Sequence, residues 1–284
     1  MAKKAAEKSA KELSEMLLNP RKNGFFKVTD EKIEKADKFC EGYKAFLNSA
    51  KTERESVEYA VAAAEKHGFV PFDPKHKYAA GDKVYYNNRG KAICLAIMGK
   101  EGCKNGVRIA AAHIDNPRLD LKPIPLYESS EMAYLKTHYY GGIKNYQWVT
   151  LPLALHGVIV RKTGEKVIIN IGEDENDPVF CISDLLVHLA QEQMTKNAKE
   201  VVEGEALNLI VGGRPLEGEE KDAVKANVLK LLADKYGVEE EDFLSAELEI
   251  VPAGKARDCG LDRSMVVAYG QDLSLIHISE PTRH

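Results

Sequence analysis

The sequence predicts an α/β protein that also contains a β-rich module. Amphipathic helices are expected at 29–49 and 52–68, and a short apolar strand is expected after them at 107–112. From 119 to 179, turn residues separate several segments with the pattern of β-strands. Of the 284 residues, 44% are hydrophobic and 30% are charged, which suits a globular protein with a sizeable core.

The N-terminal segments carry helix start and stop signals. A Lys-rich helix is expected to end before Asn19-Pro20, and Thr29 can cap a second helix that runs to about residue 49. The stretch Thr52–Glu55 has the spacing of a capping box for a third helix, which Gly68 closes. Core packing explains the apolar faces of these helices, so we assign them no function.

A hairpin and a buried strand are expected next. Lys83–Tyr86 and Ala92–Met98 flank the turn residues Asn87–Gly90. Val107–Ala112 is a mostly apolar run of small and β-branched residues that follows a turn signal, so it predicts a buried strand. Pro117 cannot donate to a strand ladder and should end it.

The predicted strand leads into His113-Ile114-Asp115. Side chains alternate along a strand, so His113 and Asp115 should point to the same side. Sites in open α/β sheets form beyond the carboxyl ends of strands. There an imidazole and a carboxylate can bind a metal, with one ligating while the other fixes the ring tautomer or also ligates. The motif is short, so on these residues alone a simple polar contact is the alternative hypothesis.

The second half of the chain alternates between strands and helices. Trp148–Val160 and Lys166–Ile171 have a β-like pattern. Ser183-Asp184 is expected to cap a helix that contains His188, which on the residues alone is a surface or half-buried helix histidine. The later elements are expected to be a strand, a helix and two further strands, at Leu207–Val211, Asp222–Tyr236, Ala246–Pro252 and Met265–Ala268.

Composition and terminal segments exclude several classes of protein. The net charge is −4 with Lys and Arg spread along the chain, which does not indicate nucleic-acid binding. Five widely spaced cysteines without a Cys-x-x-Cys motif favour a reducing compartment over a disulfide framework. The N-terminus lacks the apolar core of a signal peptide, and no apolar run is long enough to span a membrane. We therefore expect a cytoplasmic protein that binds neither nucleic acid nor membrane.

The last twelve residues differ in character from the rest. Residues 273–284 resemble the translation of a transposase adapter used in preparing sequencing libraries, with a genuine short tail as the alternative. We exclude this run from fold reasoning as an adapter artefact. The natural sequence is then expected to continue past Asp272.

Four stretches together resemble one enzyme family in order and spacing. They are Ala112–Leu119 (Ala-His-Ile-Asp-Asn-Pro-Arg-Leu), Tyr140-Gly141-Gly142, the segment Ile182–Leu189 around His188, and Asp262–Asp272, which ends Tyr-Gly-Gln-Asp. This combination resembles the aspartyl aminopeptidase / aminopeptidase I family of zinc metallopeptidases, across nearly all of residues 25–272. The resemblance favours the metal hypothesis for His113 and Asp115.

The resemblance implies a domain organisation. A metallopeptidase-type α/β catalytic domain, truncated here, would carry an inserted β-rich dimerisation domain. Residues 1–118 would form the N-terminal part of the catalytic domain, 119–248 the insert, and 249–272 the return to the catalytic domain, followed by the adapter run 273–284. The insert implies a homo-oligomer.

The resemblance also implies roles for four residues. The activity would be removal of N-terminal residues from peptides by water activated by two zinc ions. His113 would ligate zinc, Asp115 would hydrogen-bond His113, and Asp272 would bridge both zincs. His188 would reach from the insert into the active site of a partner subunit and bind substrate. In the family the glutamate general base and the remaining ligands lie downstream of Asp272, so this chain is expected to be an inactive fragment.

One departure and two alternatives accompany this interpretation. Many family members carry Trp-x-x-Trp-Phe-Asp-Arg-Asp after the Gly-Gly turn, whereas residues 144–150 here read Lys-Asn-Tyr-Gln-Trp-Val-Thr. Those charges are absent, so a preference for acidic N-terminal residues is not implied. The nearest enzymatic alternative is the related glutamyl aminopeptidase/tetrahedral peptidase group. The non-enzymatic alternative is a metal-free assembly protein with the same fold, against which the predicted strand leading to Asp272 argues.

Overall fold

The structure, a computed structural model, describes residues 9–19, 21 and 23–271. The predicted ligand Asp272 and the adapter-like run 273–284 lie outside the described residues. The chain divides into two compact units between Tyr43 and Lys44. Helices and a large antiparallel sheet together confirm the predicted α/β class.

The three predicted N-terminal helices are present. Helix α1 spans Ala10–Leu17, and a single 3-10 turn, Gly24–Lys27, precedes helix α2, Asp30–Ser49, which crosses the boundary between the units. Helix α3 spans Glu53–Lys66 and begins with the predicted capping box. The Thr52 side chain accepts the N–H of Glu55, and the Glu55 carboxylate accepts the N–H of Thr52.

The predicted hairpin lies in a small sheet. Strand β1, Val70–Pro71, runs parallel to β2, Lys83–Asn88, and β2 pairs antiparallel with β3, Ala92–Ile97. The turn between β2 and β3 has Arg89 at φ 59° and Gly90 at φ 70°, as a tight hairpin turn requires. Helix α3 packs against β2 and β3.

The strand predicted at 107–112 does not form. Residues 107–116 are irregular, and the side chains of Val107 and Ile109 are 62% and 80% exposed. A strand needs neighbours that accept its backbone hydrogen bonds, and no strand among the described residues pairs with this run. The apolar pattern shows that this run could be buried in a sheet. Whether it forms a strand depends on neighbouring strands that are distant in sequence, which a local pattern cannot predict.

A seven-stranded antiparallel sheet dominates the second unit. Its strand order is β7-β6-β10-β4-β5-β9-β8. In chain order its strands and the two helices among them are β4 Arg118–Ser129, β5 Met132–Tyr140, α4 Asn145–Trp148, β6 Leu153–Val160, β7 Lys166–Ile171, β8 Cys181–Ile182, β9 Leu209–Gly212, α5 Ala223–Tyr236 and β10 Glu247–Pro252. The predicted strands and the predicted helix ending at Gly237 are thus confirmed, with Trp148 in α4 instead of β6.

The two faces of this sheet differ in chemistry. Helix α5 covers an apolar face, where Leu248 and Ile250 of β10 are buried with Leu155 and Phe243. Glu249 lies between Leu248 and Ile250 in β10 and therefore points to the opposite face. Its partners across the neighbouring strands are His156 and Asp120. The charged face of the sheet carries the contacts to the start of α3 that are described below.

The helix predicted from Ser183 does not form. Residues 183–186 are irregular, a turn follows at 187–189, and only a 3-10 turn further on, Gln193–Thr195, is helical. The Asp184 carboxylate accepts the N–H of Leu185 and the side-chain amide of Gln193, which are local bonds that compete with a helix. Leu185 is 53% exposed, so an apolar helix face has no surface on which to pack.

The chain ends in a two-stranded antiparallel sheet. Strand β11, Arg257–Cys259, pairs with β12, Met265–Val267, which confirms the predicted strand near 265. The seven-stranded sheet uses residues 118–252, close to the predicted insert, but the boundaries at 118/119 and 248/249 stay a prediction. Among the described residues, no helix combines the length and apolarity needed to cross a membrane.

Candidate functional site

The structure brings His113 and Asp115 together without the predicted strand. Nδ1 of His113 lies 3.1 Å from Oδ1 of Asp115 and 2.9 Å from its backbone oxygen. The His113 side chain is exposed and that of Asp115 half-buried, at 38% and 35% of their surface. With Nδ1 facing an acceptor, the ring favours the tautomer that carries its proton on Nδ1 and leaves the Nε2 lone pair free.

The second oxygen of Asp115 is also held. Tyr140 is the last residue of β5, and its hydroxyl donates a hydrogen bond to Oδ2 of Asp115 at 2.7 Å. This bond is the main reason that the pKa of Asp115 is lowered, against the opposing effect of burial and with help from His113. The same bond raises the pKa of Tyr140. At neutral pH, Asp115 is therefore a carboxylate that accepts from both neighbours.

Arg118 supports the ring of Tyr140. The two residues are directly opposite each other in the β4–β5 pair, and the guanidinium carbon lies 4.2 Å from the ring centroid. The Arg118 side chain is 8% exposed and donates to Glu53 and Asp120, each at 2.8 Å, with Glu249 at 3.3 Å. Burial opposes its charge, but these carboxylates outweigh burial and raise the pKa of Arg118.

Two of the acids around Arg118 are themselves buried. Burial, followed by the charge of Glu53, raises the pKa of Glu249 to about 8, and Arg118 only partly opposes this. One carboxyl oxygen each of Glu53 and Glu249 lacks a hydrogen-bond partner among the described residues. Burial and the neighbouring charge of Glu53 thus both favour the protonated form of Glu249.

The segment after β12 packs against the His113 segment. The hydroxyl of Tyr269 donates to the backbone oxygen of Pro117 at 3.0 Å, and burial raises the pKa of Tyr269. Gly270 has φ +85°, and a Cβ there would lie 3.3 Å from Nδ2 of Asn116. Two of the motifs that carry the family resemblance are thus in contact, although Asp272 lies outside the described residues.

His188 lies in a different part of the sheet unit. It is exposed in the turn at 187–189 and lines an open cavity of about 760 Å³. Charged and polar side chains share this cavity with it, among them Asp184, Glu192 and Lys196. Neither His113 nor Asp115 lines the cavity, so the structure does not bring His188 into one site with them.

The donor chemistry at His113 fits one part of a zinc site. An imidazole that donates one ring N–H to a carboxylate and keeps the other nitrogen free is the usual arrangement of a zinc-binding histidine. Within residues 9–19, 21 and 23–271, however, no group of three or more His, Cys, Asp or Glu side chains could hold a metal. A catalytic zinc takes three protein ligands, so the described residues form only part of the ligand set of such a site.

Sequence reasoning named His113 and Asp115 but gave no role to their supports. Arg118 and Tyr140 stood inside quoted motifs, and Glu53 stood inside the capping box. For Glu249 the sequence showed only the alternating pattern of a strand, and that pattern predicts that a glutamate lies on the solvent-exposed face. Its burial depends on α3, which is distant in sequence.

Comparisons with known proteins identify one family. A family model described as aminopeptidase I zinc metalloprotease (M18) matches residues 46–277. A curated relative from Clostridium acetobutylicum, "Probable M18 family aminopeptidase 1", is 54% identical over 261 residues, which are 90% of this chain and 56% of the relative.

Two crystal structures have a similar fold. An M18-family aminopeptidase from Thermotoga maritima matches with a TM-score of 0.85 and 45% identity, over 92% of this chain and 56% of that chain. Aminopeptidase I from Borrelia burgdorferi B31 matches with a TM-score of 0.80 and 42% identity, over 89% and 58%. The chain spans about half the length of the relatives that it matches.

Proposed function

This chain belongs to the aminopeptidase I zinc metalloprotease (M18) family, and we propose on that basis that it is part of a zinc-dependent aminopeptidase. The enzyme would remove N-terminal residues from peptides. The observation that carries the proposal is the contact of His113 with Asp115, in which one ring nitrogen is held and the other is free. The activity is proposed for a protein of the relatives' full length, of which this chain spans about half.

We propose that the intact protein binds two zinc ions. His113 would ligate one of them through Nε2, Asp115 would orient the imidazole, and Asp272 would bridge both ions. When bound, zinc polarises a peptide carbonyl and lowers the pKa of the attacking water. The chain's own contribution is to hold His113 in the tautomer that can ligate, through the 3.1 Å contact with Asp115.

We propose further that the chain alone is an inactive fragment. Its named ligands are His113 and Asp272, fewer than a catalytic zinc needs. The family's glutamate base would have to come from further sequence. The exposed apolar residues Val107 and Ile109 support this proposal, because they would be covered if further strands paired with them.

The insert at 119–248 is proposed to mediate a homo-oligomer in which His188 binds substrate in the partner's active site. His188 is exposed beside an open polar cavity, and no residue of the His113 site lines that cavity. A side chain so placed can contribute to a site only if another surface approaches it.

The test uses the full-length protein, obtained by reading the gene past Asp272. The purified protein and its His113→Ala variant are compared for bound zinc and for hydrolysis of acidic and neutral aminoacyl-nitroanilides. We expect zinc-dependent release of nitroaniline by the parent and loss of both zinc and activity in the variant. A folded, metal-free protein without activity would overturn the proposal and favour the assembly-protein alternative.

A further inference from the structure

We infer that Tyr140 is a positioning residue for His113, acting through Asp115, and that Arg118 holds Tyr140 in place. The inference rests on the proposed function, since it concerns how the proposed zinc ligand is oriented. The four side chains form one continuous path from a buried charged cluster to the imidazole.

The first step is the carboxylate of Asp115. Oδ1 faces Nδ1 of His113 at 3.1 Å, and Oδ2 accepts from Tyr140 at 2.7 Å. The carboxylate is a rigid planar group, so fixing the position of Oδ2 fixes the direction in which Oδ1 points. Nδ1 of His113 meets two acceptors of Asp115, the backbone oxygen at 2.9 Å and Oδ1, and the hydroxyl of Tyr140 sets the orientation of the second.

The second step is the backbone around Asp115. Residues 107–116 are irregular, so no ladder hydrogen bonds hold this segment in register. In an unpaired segment the side-chain bonds must supply the order that a strand would supply. Tyr140, in contrast, belongs to β5, which pairs with β4 and β9. The bond from Tyr140 to Asp115 thus attaches an irregular segment to the sheet.

The third step is the ring of Tyr140. The guanidinium of Arg118 lies over it at 4.2 Å, and Arg118 is fixed by hydrogen bonds to Glu53 and Asp120. Glu53 is in the first turn of α3, so helix and sheet both fix the guanidinium. A ring supported on its face and bonded at its hydroxyl has little freedom to turn away from Asp115.

The expected consequence concerns the tautomer of His113. With Asp115 held, the imidazole keeps its proton on Nδ1 and offers Nε2 to a metal. Loss of the Tyr140 hydroxyl frees the Asp115 carboxylate to rotate and to bond with water. Nδ1 then keeps only the backbone oxygen of Asp115 as its acceptor, so the preference for the Nδ1–H tautomer is weakened. Loss of a direct partner of a metal ligand, the position of Asp115, typically weakens metal binding roughly 10- to 100-fold. Tyr140 acts one contact further from the metal, so a smaller loss is expected.

The experiment compares Tyr140→Phe with Tyr139→Phe in the chain as given. Tyr139 is the matched control, because it is similarly exposed and its ring stacks on His138. Long-range proton–nitrogen spectra of the histidine-labelled chain report the ring tautomer, and His113→Gln identifies the His113 signals. We expect a predominant Nδ1–H tautomer in the parent and in Tyr139→Phe, and a shift toward the Nε2–H tautomer in Tyr140→Phe.

Zinc affinity of the full-length protein, measured by competition with a chromophoric chelator, is the second readout. Tyr140→Phe should weaken zinc binding by up to roughly 10-fold, the lower end of the range for a direct partner of a metal ligand, with zinc binding by Tyr139→Phe unchanged. Equal tautomer populations in both variants would overturn the inference, as would equal zinc affinity in both variants of a parent that binds zinc. If the full-length parent binds no zinc but the tautomer still shifts, the proposed function fails while the positioning of His113 by Tyr140 stands.

Discussion

Nδ1 of His156, in β6, lies 2.7 Å from Oε1 of Glu55, in the first turn of α3. Its Nε2 lies 3.1 Å from Oε1 of Glu173, which also accepts from the ammonium of Lys51 at 2.5 Å. Lys51 and His156 are buried, so two cations and two carboxylates join the start of α3 to the charged face of the sheet. This cluster stands beside the one around Arg118 and holds the same helix end.

The charge of His156 should make stability depend on pH. Burial lowers the pKa of His156, but the hydrogen bonds that its ring donates to Glu173 and Glu55 outweigh burial and raise the pKa to about 9. Because the folded pKa exceeds the unfolded value of about 6.5, the stabilisation is full below pH 6.5 and is lost as pH rises through 9. The full effect is on the order of 3 kcal/mol.

Urea unfolding of the parent and of His156→Gln between pH 6 and pH 10 measures this dependence. The free energy of unfolding of the parent should exceed that of the variant at pH 6, and the gap should narrow toward pH 10. Other groups that titrate near pH 10 affect both proteins alike, so the difference isolates His156. A gap of constant size across this range would contradict the assigned protonation of His156.

Two glutamates of β10 should respond to pH with opposite signs. Burial and Glu53 raise the pKa of Glu249, whereas hydrogen bonds from Lys91 and Arg54 outweigh burial and lower the pKa of Glu247. Because the pKa of Glu249 is raised from 4.5 to about 8 on folding, Glu249 lowers the free energy of unfolding progressively as pH rises through this range. The pKa of Glu247 is lowered on folding, so its carboxylate stabilises the folded chain at pH values above its unfolded pKa. This stabilisation is lost as pH falls through the folded pKa.

Substitution by glutamine separates the two glutamates. Relative to the parent, Glu249→Gln should have little effect at pH 5 and should raise the free energy of unfolding at pH 9, by about 1 kcal/mol or more. Glu247→Gln should lower stability at both values, since it removes a charge that is paired throughout. The measurement is urea unfolding at pH 5 and pH 9. If Glu249→Gln destabilises the chain at pH 9, the buried acid is ionised and our assignment of its proton is wrong.

Local signals predicted most of the elements and half of the site. The capping box at Thr52, the hairpin around Gly90 and strand β7 depend on residues adjacent in sequence, so the pattern was sufficient. His113 and Asp115 were expected on the same side of a strand; that strand does not form, but the two residues still meet through the contact of Nδ1 with Oδ1. All of these features depend on interactions between residues that are close in sequence.

The remaining features depend on partners distant in sequence. Residues 107–112 have the composition of a strand, but no described strand pairs with them. Residues 183–189 have the composition of a helix, but Asp184 bonds locally and the apolar side chains find no surface. The approach of Tyr140 to Asp115 arises from the pairing of β4 with β5, which no single segment encodes.

The chain as given should be catalytically inactive. Its recognisable ligands are His113 and Asp272, whereas a catalytic zinc needs three protein ligands and an open position. Residues 1–272 are expressed, supplied with zinc and assayed with acidic and neutral aminoacyl-nitroanilides, with His113→Ala as the control. We expect no turnover above the control. Turnover well above it would mean that the active site lies elsewhere in the chain.

The last prediction concerns His188 in the full-length protein. If His188 acts in the partner's site, subunits carrying His188→Ala and subunits carrying Asp272→Ala are each inactive alone but complement each other when mixed. In a two-fold pair, one of the two sites in each mixed dimer receives an intact Asp272 from its own chain and an intact His188 from the other. Random pairing of equal amounts should therefore restore roughly a quarter of the parent activity. If His188 acted within its own chain, every site would lack one residue and no activity would return. Subunit exchange is verified with differently tagged chains, and absence of recovery despite proven exchange would rule out the role in the partner's site.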